Sequence, residues 1–92
     1  MYRGETGIFG GKEMRHGIGV MLYENNRFYE GFWSKDKRHG KGYEKFSNGD
    51  VYEGEYVKGR PEGNGKRIWK SSGEQYIGQW YQGMRHGTGV WQ

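Results

Sequence analysis

Apolar and polar positions alternate with a period of two, not 3.6, through most of the chain. In Tyr29-Glu30-Gly31-Phe32-Trp33, the residues Tyr29, Gly31 and Trp33 share one face of an extended strand, and Glu30 and Phe32 take the other. Gly40, Gly42, Glu44 and Phe46 alternate in the same way on the following segment. Polar stretches separate these runs: Ser34 to His39 forms one turn, with Asp36, Gly59 and Gly83 at corresponding positions. All three are residue types that tolerate positive φ. A second kind of turn reads Glu24-Asn25-Asn26-Arg27, Ser47-Asn48-Gly49-Asp50 and Ser71-Ser72-Gly73-Glu74, and Asn-Gly between alternating runs is a hairpin signal. Helix is disfavoured, because glycine recurring every few residues costs up to ~1 kcal/mol each relative to Ala.

The alternation is itself periodic. An aromatic, one residue, Gly, one residue and an aromatic recur as Tyr29–Trp33, Tyr52–Tyr56 and Tyr76–Trp80. A second phrase, Gly-x-Gly, follows in Arg38-His39-Gly40-Lys41-Gly42, Pro61-Glu62-Gly63-Asn64-Gly65 and Arg85-His86-Gly87-Thr88-Gly89. An earlier copy stands at Arg15-His16-Gly17-Ile18-Gly19, and further rings follow at Tyr23, Phe46 and Trp69. Each unit predicts one β-hairpin, and successive hairpins pair edge to edge in chain order, each advancing the array by about 10 Å. The expectation is an all-β protein: one elongated, single-layer antiparallel sheet of tandem hairpins, about 3.5–4 repeats. Residues 1–92 form a single array, with an irregular first unit at 1–26 and further units at 27–49, 50–73 and 74–92. Two registers are open for the first unit, one on Gly7 and Phe9, the other on Tyr2-Arg3-Gly4-Glu5 with four inserted residues.

Composition changes this picture in one respect. Only thirteen residues are Leu, Ile, Val or Phe, whereas sixteen are aromatic and 19 are glycine. Any core is therefore built from rings lying on glycines rather than from interlocked aliphatic chains. There is no cysteine, hence no disulfide framework or thiolate metal site. No apolar run reaches the ~18 residues of a membrane span. The N-terminus has no signal-like apolar stretch, and no Asn-x-Ser/Thr acceptor occurs, so a reducing, cytoplasmic setting is expected.

The phrases spelled out above resemble the MORN (membrane occupation and recognition nexus) repeat, whose usual form runs Tyr-x-Gly-x-Trp, a polar turn, His-Gly-x-Gly, an aromatic and Asn-Gly-Asp. Tyr52–Tyr56 preceded by Asn48-Gly49-Asp50 matches closely, as does Tyr76 to Gly89. Pro61-Glu62 departs from the expected Arg-His, and single residues are inserted near Gly11 and Ser72. The resemblance implies a curved hairpin array acting as a scaffold, with any chemistry in a separate domain. Arrays of this kind occur in junctophilins, plant phosphatidylinositol phosphate kinases, alsin, radial-spoke proteins and apicomplexan cytoskeletal proteins. Association with cytoskeleton, cilium or membrane is implied accordingly.

Candidate chemistry is sparse. His16, His39 and His86 occupy equivalent places in different hairpins, about 10 Å or more apart, too far to share a zinc ion bonded at ~2.0–2.1 Å. They are read as turn histidines packing on rings and bonding to backbone. Glu30, Glu53, Glu55 and Glu74 read as cross-strand partners of Lys and Arg, Glu53 and Glu55 lying opposite the ring rows. Gly10-Gly11-Lys12 lacks the spacing of a phosphate loop. No catalytic residue, metal site or cofactor is expected.

Two binding surfaces are expected. The rings Tyr29, Trp33, Tyr52, Tyr56, Tyr76 and Trp80 make the core, but a single layer should leave some of them exposed on a concave face. There they would anchor a peptide or helix of a protein partner. The cations Lys35, Lys37, Arg38 and Lys41 cluster in one hairpin and offer the alternative, acidic phospholipid headgroups, at ~1 kcal/mol per basic residue. Unpaired terminal strands add homodimer formation as a further expectation. Interspersed acids weigh against nucleic acid.

Overall fold

The structure, a computed structural model, describes all 92 residues. Eight strands form one open antiparallel sheet in chain order. They are β1 (Tyr2–Phe9), β2 (Lys12–Leu22), β3 (Phe28–Ser34), β4 (Lys37–Lys45), β5 (Val51–Val57), β6 (Arg60–Ile68), β7 (Gln75–Tyr81) and β8 (Met84–Trp91). The extents of 46 × 28 × 15 Å are those of a single layer. The all-β hairpin array read from the alternation is the fold observed.

One row of glycines crosses every strand. Gly4 pairs with Gly19, Gly31 with Gly42, Gly54 with Gly65 and Gly78 with Gly89 inside the four hairpins. Gly19–Gly31, Gly42–Gly54 and Gly65–Gly78 join one hairpin to the next. The first unit is thereby fixed on Tyr2-Arg3-Gly4, with the extra residues taken up beyond Gly4 in the longer β1–β2 hairpin. Tyr2, Tyr29, Tyr52 and Tyr76 each lie flat across a pair of these glycines, so a Cβ at Gly19, Gly42, Gly65 or Gly89 would run into the ring.

The two glycines of each Gly-x-Gly phrase have different duties. The second belongs to this row. The first (Gly17, Gly40, Gly63, Gly87) has φ of 97°, 87°, 94° and 65° and sits where the hairpin register slips, a β-bulge that only glycine enters cheaply. This bulge takes Gly40 out of the expected alternation: its Cα faces Phe32, not the rings.

Two-residue turns close the hairpins, and both central residues have positive φ, as a type I′ turn demands. They are Gly10-Gly11, Lys35-Asp36 (46° and 71°), Lys58-Gly59 and Gln82-Gly83. Asn48-Gly49, expected as a tight hairpin turn, instead lies in a wider connection between hairpins. There Gly49 N–H bonds to the Phe46 carbonyl, and Phe46 N–H to that of Asp50.

The core is a ladder of edge-to-face rings. Centroids are 5.5 Å apart for Tyr2–Trp33, 5.1 Å for Trp33–Tyr29 and Tyr29–Tyr56, and 5.2 Å for Tyr56–Tyr52. Beyond that they are 5.4 Å apart for Tyr52–Trp80 and Trp80–Tyr76, at interplanar angles of 83–88° throughout. Such contacts contribute about 0.5–1.5 kcal/mol each beyond area burial. Each polar tip is satisfied. Tyr29, Tyr52 and Tyr76 donate to the carbonyls of Phe32, Glu55 and Gln79. Trp33 and Trp80 donate from Nε1 to Gly19 and Gly65 across the hairpin seam, at 3.1 Å.

Candidate functional site

All six rings expected to hold a partner are buried: Tyr29, Trp33, Tyr52, Tyr56, Tyr76 and Trp80 expose 5% or less. The expectation that some of this row stays open is corrected. Rings repeating every two strands interleave into the ladder, while the flanking Tyr2, Met21, Tyr23, Phe46 and Trp69 pack on their margins. Burial raises the phenol pKa of Tyr29, Tyr52 and Tyr56 above the ordinary range, and the Glu44 charge adds to this at Tyr56.

The four cations of the second hairpin are also separated, which corrects their reading as one cluster. Arg38 turns into the core face, 2.6 Å from Glu44 Oε1 and bonded to the Gly59 carbonyl at 2.7 Å, with its guanidinium near the Tyr29 and Tyr56 rings. Lys41 stands mid-strand opposite Glu55. Only Lys35 and Lys37 remain together, exposed at the β3–β4 turn.

Two polar constellations lock consecutive units together. Glu44, 2% exposed, accepts from Arg27, Arg38 and Tyr56, so one carboxylate joins the β2–β3 connection, β4 and β5. Asp50 accepts from the Lys70 backbone N–H and from Arg67 at 2.9 Å. Burial pushes its pKa up, but those donors and Asn48 outweigh it and hold the carboxyl below its usual value. At the turn edge Asp36 takes the Arg15 backbone N–H at 2.7 Å, which with the Arg15 guanidinium lowers its pKa too. His16 and His39 accept through Nδ1 from the Lys35 and Lys58 amides of the next hairpin, and His16 lies against Phe9. Glu5 and Glu55 accept the bulge amides of Ile18 and Asn64. These titratable groups serve the fold.

The face opposite the ladder is where apolar side chains stay open. Ile18, Leu22 and Phe32 expose 55%, 51% and 45%. Ile18 pairs with Phe32 and Leu22 with Phe28, while Phe28 stacks on Tyr43 at 5.8 Å. The row Leu22–Phe28–Lys45–Val51–Ile68 runs across five strands, along the long axis of the array. Beside it, Tyr43, Val51 and Ile68 line a shallow groove of about 180 Å³ bordered by Glu53 and Lys66. Sequence reasoning passed over these residues; the available signal was their place at the alternate positions of strands whose ring face was already assigned.

No helix is long and apolar enough to cross a membrane. No curated protein matches the chain at a significant level. A family model described as MORN repeat matches residues 14–26, 29–51, 52–74 and 76–92, three of these segments beginning within two residues of the first residue of β3, β5 or β7. With four matched repeats spanning most of its length, the chain belongs to the MORN-repeat family.

Proposed function

We propose that this array, a scaffold and interaction module of a generally non-catalytic family, binds an amphipathic segment of a protein partner on the face opposite its rings. The carrying observation is the apolar face of a single-layer sheet, where Ile18, Leu22 and Phe32 are exposed and Phe28, Tyr43, Val51 and Ile68 stay half-buried, with no second layer to cover them. The ladder supports this reading by holding the face rigid, so little ordering cost falls on the array when a partner docks. Charge selects protein over lipid here. Glu30 and Glu53 stand among the apolar side chains beside Lys45 and Lys66, a mixed, net-neutral pattern that complements a segment carrying both signs and offers an anionic bilayer no net attraction.

The test is selection of a displayed random peptide library on the folded chain, followed by chemical-shift mapping of enriched peptides. Amphipathic peptides perturbing Leu22, Phe28, Tyr43, Val51 and Ile68 support the proposal. Absence of enrichment, or perturbation confined to other residues, overturns it.

A further inference from the structure

The hairpin turns all lie on one long edge of the sheet, and that edge carries a row of cations that no single repeat reveals. Lys12 follows the β1–β2 turn, Lys35 and Lys37 flank Asp36 in the β3–β4 turn, and Lys58 and Arg60 flank Gly59 in the β5–β6 turn. All five are exposed and none forms an ion pair. Three acids lie nearby and offset the row only in part: Asp36 pairs with Arg15, Glu13 accepts from Thr6, and Glu62 lines an open cleft together with Val57, Lys58, Arg60, Tyr81 and Gln82. The opposite edge differs: its exposed connections read Glu24-Asn25-Asn26, Ser47-Asn48 and Lys70-Ser71-Ser72-Gly73-Glu74, with acid and base in balance or acid in excess.

We infer that the turn edge from Lys12 to Arg60 is a docking rail for an extended acidic protein segment, independent of the apolar face. Geometry selects that occupant. Cation-bearing turns recur every two strands, about 9.6 Å, so three hairpins span roughly 20 Å. A segment in the polyproline II conformation has three residues per turn and rises ~3.1 Å per residue, so carboxylates at every third residue share one face and meet successive turns. Adjacent strands are rotated by about 20–25° in a twisted sheet, so the turns follow a winding line. A flexible extended chain follows that line, whereas a flat bilayer touches it at one or two tips. Single-stranded nucleic acid needs a succession of open aromatic faces to stack on, and although Tyr81 is open beside Lys58 and Arg60, no row of open rings follows this edge. Attraction here is electrostatic and solvent-exposed, so it is fast, modest in strength and weakened by salt.

The experiment uses fluorescence anisotropy on the whole chain at low ionic strength. The probe is a labelled peptide of Glu-Gly-Ser triplets, compared with a peptide of the same charge whose glutamates form one block. Vesicles with and without acidic lipid and a labelled oligothymidylate complete the set. One variant carries Lys12→Gln, Lys35→Gln, Lys37→Gln, Lys58→Gln and Arg60→Gln. A matched control carries Arg3→Gln, Lys41→Gln, Lys45→Gln, Lys66→Gln and Lys70→Gln, and circular dichroism establishes that both are folded. Expected are preference for the triplet peptide over the block, about a tenfold loss of affinity in the rail variant, and a change within about twofold in the control. Equal losses in the two variants, indifference to glutamate spacing, or tighter binding to acidic vesicles or oligothymidylate would each overturn the inference. Should the control alone fail to fold, the spacing comparison on the unaltered chain still decides it.

Discussion

Tyr56 donates a 2.8 Å hydrogen bond to Oε1 of Glu44, and the two are the place where this array departs from its own pattern. Elsewhere the ring at the Tyr56 position is a tryptophan, Trp33 or Trp80, donating across the seam to a glycine carbonyl. Residues 23 either side of Glu44 are Met21 and Arg67. The phenol carries its O–H at the far tip of the ring rather than on the ring's side like an indole N–H, and there a buried carboxylate meets it, neutralised in turn by Arg27 and Arg38. Glu44→Gln leaves two part-exposed guanidinium groups facing a neutral amide, so a loss of about 1–3 kcal/mol is expected in urea unfolding. Tyr56→Phe removes one hydrogen bond and should cost about 1–2 kcal/mol. The double variant should lose less than the sum, because the two act on one network.

Glycines of the central row and glycines of the turns should respond oppositely to substitution. Gly65→Ala forces a methyl group into the Tyr52 ring and the ladder above it, an overpacking cost of about 1–3 kcal/mol. Gly59 has open space around its Cα and φ of 88°, so its requirement is conformational only. Gly59→Asn, a residue that enters this region, should stay within about 1 kcal/mol of the native protein. Thermal melts of the two variants distinguish steric from conformational need; equal losses would contradict the close packing of Tyr52 on Gly65.

This division also marks how far the sequence could be read. Period, strand order and rings lying on in-strand glycines were legible, because Gly-x-Gly recurs at fixed offsets; that those glycines pair across every strand was not, since it depends on the cross-strand register. The first unit was not, since four extra residues after Gly4 make Gly7 look equally good until Gly4 is seen opposite Gly19. Left-handed φ at Lys35, Lys58 and Gln82 was hidden too, as those residue types give no sign of it; only the two-residue turn imposes it. Glu44 falls by alternation on one face with Gly40, Gly42 and Phe46, but its role as a buried hub was not legible, because its partners Arg27 and Tyr56 are 17 and 12 residues away. The ring row was identified, but its closure depends on rings from consecutive units meeting edge to face, a matter of distance that spacing does not report.

Acid should weaken the seams between hairpins before it affects the ladder. Asp36 and Asp50 both have folded pKa values below the ordinary 3.8. A depressed carboxyl contributes stability that is fully present above its unfolded pKa and lost as pH falls through the lower, folded one. These two groups therefore leave stability flat between pH 7 and about 5 and reduce it below about pH 4. Asp50→Asn should flatten the acid limb of a stability-against-pH curve while lowering its plateau; an unchanged acid limb would show that the seam at Lys70 and Arg67 carries no such linkage.

Adjacent residues on opposite faces give the sharpest separation of fold from binding. Trp33 is 4% exposed and touches Tyr2 and Tyr29, so Trp33→Ala should cost about 3–5 kcal/mol and tests stability rather than binding. Phe32, the residue before it, is 45% exposed on the apolar face and shares in no ring pair of the ladder. Phe32→Ser combined with Leu22→Ser should leave the circular dichroism spectrum intact and the midpoint of thermal unfolding within a few degrees. The same pair should reduce binding of face-selected peptides about tenfold, since truncated apolar anchors commonly cost more than about 1 kcal/mol each. A variant that unfolds would place Phe32 and Leu22 in the stabilising core instead. One that stays folded and binds unchanged would remove the exposed row from recognition altogether.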